Sequence, residues 1–175
     1  MNPGCYLLVV VCLGVSLGNV SAKPLTYEGA NGAGKGKHIV FIASDHEYKS
    51  EETLPALARI LARHHGFKCS VLFGLNDKGE IAPGQSNVPG MEALKSADLM
   101  VVFTRFQNWP DEQMQHFVDY LERGGPIVGL RTATHGFQIP GDSKWAKYGN
   151  GFNGKEYQGG WGRQVLGEKW AGHYG

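Results

Sequence analysis

The sequence predicts an α/β domain, a parallel β-sheet covered by helices on both faces. Three observations carry that prediction. Short apolar runs rich in β-branched residues recur along the chain. Between them lie stretches with apolar residues at i, i+3, i+4 and i+7, the spacing of an amphipathic helix. The runs are apolar on both faces, which suits strands buried from both sides in a parallel sheet.

Each element follows from its residues. His38-Ile39-Val40-Phe41-Ile42-Ala43 reads as a buried strand, and 44–50 as a polar loop. Leu54, Leu57, Ala58 and Leu61 form a helical stripe. Pro55 then belongs in the first turn, where its missing N–H costs little. Ser50 or Thr53 is a candidate cap, and Gly66 a stop. Lys68 to Phe73 is a second strand, 76–89 a turn-rich connection, and Met91 to Ser96 a short helical stretch. Asp98 to Phe103 is a third strand. Pro110 opens a helix with Asp111 and Glu112 in its first turn, where the macrodipole favours anions. Met114, Phe117, Val118 and Leu121 form its buried stripe, and Gly124-Gly125 ends it. Pro126 to Leu130 is a fourth strand. Right-handed crossovers then give a flavodoxin-like order, with the first strand near the centre.

Beyond Leu130 the periodicity fades, and only Val165-Leu166 reads as core. Four strands make a thin sheet, so the domain is expected to be C-terminally incomplete. Residues 23–37 are polar and Gly-rich and read as a linker. The expected organisation is therefore a leader over 1–22, a linker over 23–37 and one α/β domain over 38–175.

The leader is read from its chemistry. The first 22 residues hold no charged side chain. Tyr6 to Leu17 is apolar and too short for a bilayer span, which takes about 20 apolar residues. Val20-Ser21-Ala22 is a small-x-small cleavage pattern. Together these read as a signal peptide cut after Ala22, making the protein exported, periplasmic or secreted, with no membrane span afterwards. No Lys or Arg precedes the apolar run, so the amino terminus alone supplies positive charge there.

Lys plus Arg number 17 against 16 Asp plus Glu in 175 residues, which gives no electrostatic reason to expect nucleic acid as partner. Oligomeric state is not legible. Signal removal leaves Cys69 as the sole cysteine, so no internal disulfide can form. Cys69 shares a strand face with Val71 and Phe73 and reads as a small buried hydrophobe.

In an open parallel sheet, ligands bind beyond the carboxyl ends of the strands. Three loops leave those ends: Ser44-Asp45-His46-Glu47-Tyr48, Thr104-Arg105-Phe106-Gln107-Asn108 and Arg131-Thr132-Ala133-Thr134-His135-Gly136. His135 is the candidate general acid/base, since imidazole titrates near neutrality. Its alternative is a histidine that only ties the loop. Asp45 or His46 would assist it. Arg105, Arg131, Thr132 and Thr134 would hold substrate oxygens, or the arginines would pair with Asp45 or Glu47. No cofactor motif appears. Gly32 to Gly36 resembles a phosphate loop only superficially, because it precedes the first strand. Asp45, His46, Glu47, His135 and His173 are metal-ligand types without tight zinc spacing, so no metal site is assigned. From Trp145 to Tyr174 aromatics alternate with glycines, and could stack on sugar faces or anchor a long loop.

Four stretches together resemble the trehalose-utilisation, or ThuA-like, family within the class I glutamine-amidotransferase-like fold. They are Ser44-Asp45-His46-Glu47-Tyr48, Ser96-Ala97-Asp98-Leu99, Gly129-Leu130-Arg131-Thr132-Ala133-Thr134-His135 and Gly162-Arg163-Gln164-Val165-Leu166-Gly167. The resemblance implies the same fold with further strands, and a role in carbohydrate catabolism on a sugar or keto-sugar derivative. Amidotransferase relatives carry a nucleophilic cysteine at an elbow. The corresponding turn here, residues 131–135, has none, which argues against glutamine hydrolysis. Three readings follow: an exported carbohydrate enzyme, a non-catalytic carbohydrate-binding or scaffold domain, and a metal-dependent hydrolase.

Overall fold

A computed structural model describes residues 23–172. The leader expected over 1–22, and the candidates His173 and Tyr174, lie outside the described residues.

The architecture is α/β, with a five-stranded, mostly parallel sheet. Its strands are β1 (Leu25–Tyr27), β2 (His38–Ser44), β3 (Lys68–Phe73), β4 (Leu99–Thr104) and β5 (Ile127–Gly129), and their order in the sheet is β1-β3-β2-β4-β5. β2 is buried along its whole length and takes a parallel neighbour on each side. Phe41, for example, stands opposite Val71 and Val101.

The two long helices are α1 (Ser50–His65) and α2 (Asp111–Glu122). The alternation of side chains along the strands divides the core between them. Ile39, Phe41, Val101 and Phe103 pack with Leu54, Ala58 and Ala62 of α1. Val40, Ile42, Met100 and Val102 pack with Met114, Phe117 and Val118 of α2 on the opposite face. Cys69 is fully buried on the α1 side, and burial pushes its thiol up to about 11, as a core residue requires.

Several expectations change. The stretch read as a linker contains β1, which pairs antiparallel with β3, Thr26 opposite Ser70. Three polar or half-exposed residues carry too little hydrophobic periodicity to announce a strand; the edge of β3 supplies the pairing instead. β5 is three residues long rather than five, and Val128 is 43% exposed, so this edge strand is not covered on both faces. Helix α1 begins four residues ahead of Leu54. Pro55 therefore sits in the second turn, where its ring deprives the Glu51 carbonyl of its helical partner. Neither Ser50 nor Thr53 caps α1. The cap position is Lys49, in a left-handed conformation, and Ser50 bonds the Asp45 backbone instead. Gly66 does end the helix, with φ of 79°, and its N–H returns to the Ala62 carbonyl at 3.1 Å.

The last third contributes more core than Val165-Leu166. Ala133, Phe137, Tyr148 and Trp161 are all buried in the α2-side cluster. Most of these aromatics therefore anchor the long connection to the sheet. The fold thereby sets all three candidate loops beyond the carboxyl ends of β2, β4 and β5.

Candidate functional site

The loop after β2 is organised by Asp45, which is fully buried. One carboxylate oxygen accepts the N–H groups of Glu47 at 2.7 Å and Tyr48 at 2.5 Å. The other accepts the Thr132 hydroxyl at 2.6 Å. Asp45 thus shapes its own loop and ties it to the loop after β5. Both predicted site residues meet, but in a structural bond that consumes the carboxylate.

His46, Glu47 and Arg105 form a second group, at the mouth of the edge. Arg105 Nη1 lies 2.8 Å from His46 Nε2, and its Nη2 lies 3.0 Å from a Glu47 carboxylate oxygen. Arginine can only donate, so His46 accepts through Nε2. Its lone pair is thereby engaged, and His46 positions the guanidinium. Arg131, with a left-handed φ of 47°, lays its guanidinium over the Tyr48 ring at 3.7 Å. Of the two arginines, one pairs with Glu47, as the sequence allowed, and the other stacks on an aromatic.

His135 ends a short 3₁₀ turn, Arg131–His135, and is buried. Its imidazole clusters with two aromatic rings, Phe106 at 5.0 Å and Trp170 at 4.8 Å, which also meet each other edge-on at 5.9 Å. Thr134 Oγ1 is 3.3 Å from its Nδ1. Its carbonyl accepts the Phe106 N–H at 3.0 Å, so the loops after β4 and β5 run side by side. Phe106 adopts a left-handed φ of 51° to do this, and Arg105 lies over its ring at 4.9 Å. The edge therefore combines an imidazole, a guanidinium, two hydroxyls and flat aromatic faces.

Four residues to which the sequence reading gave no individual role also shape the site. Gln107 is fully buried, and its amide nitrogen lies 3.0–3.1 Å from the carbonyls of Ser44, Gly84 and Arg105, which share its two N–H groups and close the crevice between β2 and β4. Trp161 donates its indole N–H to the Ala133 carbonyl at 2.6 Å and so fixes the His135 turn from below. Gly162 lets the Thr134 carbonyl approach, since a Cβ there would lie 2.0 Å from that oxygen. Trp170 covers the imidazole. The aromatic–glycine alternation marked the right segment, but nothing in it distinguishes the ring that meets His135 from those that enter the core.

Among the described residues no three His, Cys, Asp or Glu side chains converge as a metal site requires. Asp45 and His46 are neighbours in sequence, yet their polar atoms serve different partners. No helix among the described residues is long and apolar enough to cross a membrane. Comparison of the chain with family models, curated proteins and solved structures gave no match.

Proposed function

We propose that this protein is an exported, ThuA-like domain of flavodoxin-like strand order that acts on a sugar or keto-sugar derivative by acid–base chemistry. The observation that carries the reading is the edge where His135, clustered with Phe106 and Trp170, adjoins Arg105 through the paired 105–107 and 135–137 segments. Imidazole is the side chain best suited to move a proton near neutral pH. Arg105 and the Thr134 hydroxyl supply donors for substrate oxygens, the Thr132 hydroxyl already donating to Asp45, and the aromatic faces suit the C–H face of a sugar ring. A thiol mechanism is disfavoured, because Cys69 is buried near the amino end of β3, away from the carboxyl ends where the candidate loops lie.

In this reading His135 carries the proton. Arg105 and Arg131 hold substrate oxygens, and His46 and Asp45 position them. A screen of neutral sugars and their keto derivatives with the full chain tests it. His135→Ala should lower turnover by about 10²-fold or more while leaving binding in place. Undiminished turnover in that variant would remove His135 from the chemistry.

One observation favours a second reading, a carbohydrate-binding domain without catalysis. Both carboxylate oxygens of Asp45 are spent on loop bonds, so that side chain is not available to orient His135. Saturable sugar binding with no product would decide for it.

A further inference from the structure

Among the described residues three that are not glycine hold a left-handed φ, namely Lys49, Phe106 and Arg131. Each stands on a connection that leaves the carboxyl end of β2, β4 or β5. That conformation costs free energy in a residue with a Cβ, and it persists where the fold or a function holds the side chain in place. Two of the three serve the fold directly. Lys49 takes the cap position of α1 and pairs with Glu52 at 3.0 Å, and the Phe106 N–H bonds the His135 carbonyl. Arg131 opens the 3₁₀ turn after β5, where glycine or asparagine would take the same φ with less strain. Its guanidinium has no ion-pair partner among the described residues.

The guanidinium is nonetheless fixed. Its face lies on the Tyr48 ring at 3.7 Å, which leaves the N–H edge of the plane open. Asp45 sets this stack from both sides. One of its carboxylate oxygens accepts the Tyr48 backbone N–H, and the other accepts the hydroxyl of Thr132, the residue next to Arg131. Arg131 itself is exposed. The result is a rigid, open fork at the sheet edge. Three residues along the same turn, roughly 6 Å at the rise of a 3₁₀ helix, stands Thr134. Its hydroxyl lies 3.3 Å from His135 Nδ1.

The neighbouring charges select what the fork takes. Asp45 and Glu47 are negative, and Arg105 and Arg131 positive. Arg105 is committed to Glu47 at 3.0 Å and to His46 at 2.8 Å. With its histidines neutral the edge carries no net charge and one uncommitted cation. A phosphate dianion would bring two charges to one free guanidinium, beside two carboxylates. A hydroxyl group would leave the cation unanswered. A carboxylate brings one charge, and its two coplanar oxygens match two parallel N–H groups. We infer that Arg131 binds a carboxylate of the substrate, which makes the substrate an acid whose charged group is held on the same turn as His135. The inference rests on the function proposed above and narrows it from a sugar derivative to a sugar acid.

Calorimetric titration of the full chain with glucuronate, glucose, glucose 6-phosphate and glycolate tests it. Glucuronate should bind at least about tenfold more tightly than glucose or glucose 6-phosphate, as one forked, charge-assisted pair provides. Arg131→Gly, which suits the backbone conformation, should erase that preference. Arg131→Lys keeps the charge without the fork and should lose about fivefold for glucuronate. Arg59→Ala removes an exposed charge from the middle of α1 and should leave the preference intact. Equal affinity for glucuronate and glucose, or a preference that survives Arg131→Gly, overturns the inference and leaves the sugar reading standing. Glucose 6-phosphate bound more tightly than glucuronate also overturns it, and gives the fork to phosphate. Glycolate binding that depends on Arg131, with no sugar bound, upholds the carboxylate fork and removes the sugar reading. Absence of binding by all of these compounds overturns both.

Discussion

Asp45 sets the scale at which single side chains matter here. Two backbone N–H groups and one hydroxyl converge on a carboxylate with no exposed surface. Asp45→Ala would leave all three donors without an acceptor in a closed space. Each buried unpaired group costs about 1–3 kcal/mol, so the loss should reach about 3 kcal/mol or more in urea unfolding. Thr132→Val removes one charge-assisted bond and should cost about 1.5–3 kcal/mol. A loss below about 0.5 kcal/mol in both would mean that the two loops are tied elsewhere. His38 supplies a pH dependence. Its imidazole is buried between the Ser70 hydroxyl, 2.9 Å from Nε2, and the Ser96 hydroxyl, 3.2 Å from Nδ1. Desolvation first, and the Lys68 charge second, lower its pKa from the ordinary 6.5. The unfolded chain therefore binds this proton more readily than the folded one. Stability from this group is complete above about pH 6.5 and is lost as the pH falls from there toward the folded value. Urea midpoints measured at pH 7.5 and 5.5 should differ less in His38→Gln than in the parent. Equal differences would assign the dependence to another histidine.

At the level of elements, what the sequence discloses depends on where the stabilising contacts lie. β2, β3 and β4 are buried on both faces, so their own side chains announce them, and β3 coincides with the predicted bounds. Met114, Phe117 and Val118 of α2 are buried as their spacing predicts, while Tyr120 is buried in place of Leu121, which is only partly covered. β1 is different. Its stability comes from the edge of β3 and from close backbone packing behind it, neither of which leaves a pattern in residues 23–37. The candidate site divides in the same way. Its loops follow from strand polarity alone, and His135, Arg105 and Asp45 fall on them. Their partners are set by tertiary distances, so the Asp45–Thr132 bond and the Arg105–His46 pairing were not legible. The packing behind β1 can be tested at Gly29. A Cβ there would lie 2.3 Å from the Gly66 carbonyl carbon and 2.5 Å from the Phe67 carbonyl oxygen, both backbone atoms. Gly29→Ala must displace β1 or the α1–β3 connection, and should cost about 1–3 kcal/mol. Gly151→Ala, where a Cβ meets nothing, is the matched control and should be close to neutral. Equal stability of the two variants would show that the 23–37 segment contributes little to the fold.

The whole molecule is held as one unit by the α2-side core, which mixes residues from the sheet, from α2 and from the irregular last third. Trp161 is the joint. Its ring meets Phe117 of α2 at 5.1 Å and Phe137 at 5.8 Å, while its N–H holds the Ala133 carbonyl. Among the described residues, the segment after Leu130 has only short helical turns, so few backbone bonds of its own would survive without that anchor. Two consequences separate cleanly. Trp161→Phe keeps an aromatic ring in the core and removes the hydrogen bond, so it should cost about 1 kcal/mol and loosen the His135 turn. Sugar binding or turnover should fall further than that small stability change explains. Trp161→Ala removes the anchor, at about 3–5 kcal/mol. The sheet, α1 and α2 retain their mutual packing in that variant, whereas the last third loses its largest contact. Near-UV circular dichroism reports the tryptophan-rich last third, and far-UV reports the helices and sheet. In the parent the two urea transitions should coincide, as one cooperative unit requires. In Trp161→Ala the near-UV transition should come at lower urea than the far-UV one. Coincident transitions in the variant would mean that the last third is bound to the sheet through other contacts, and that Trp161 is only one core residue among several.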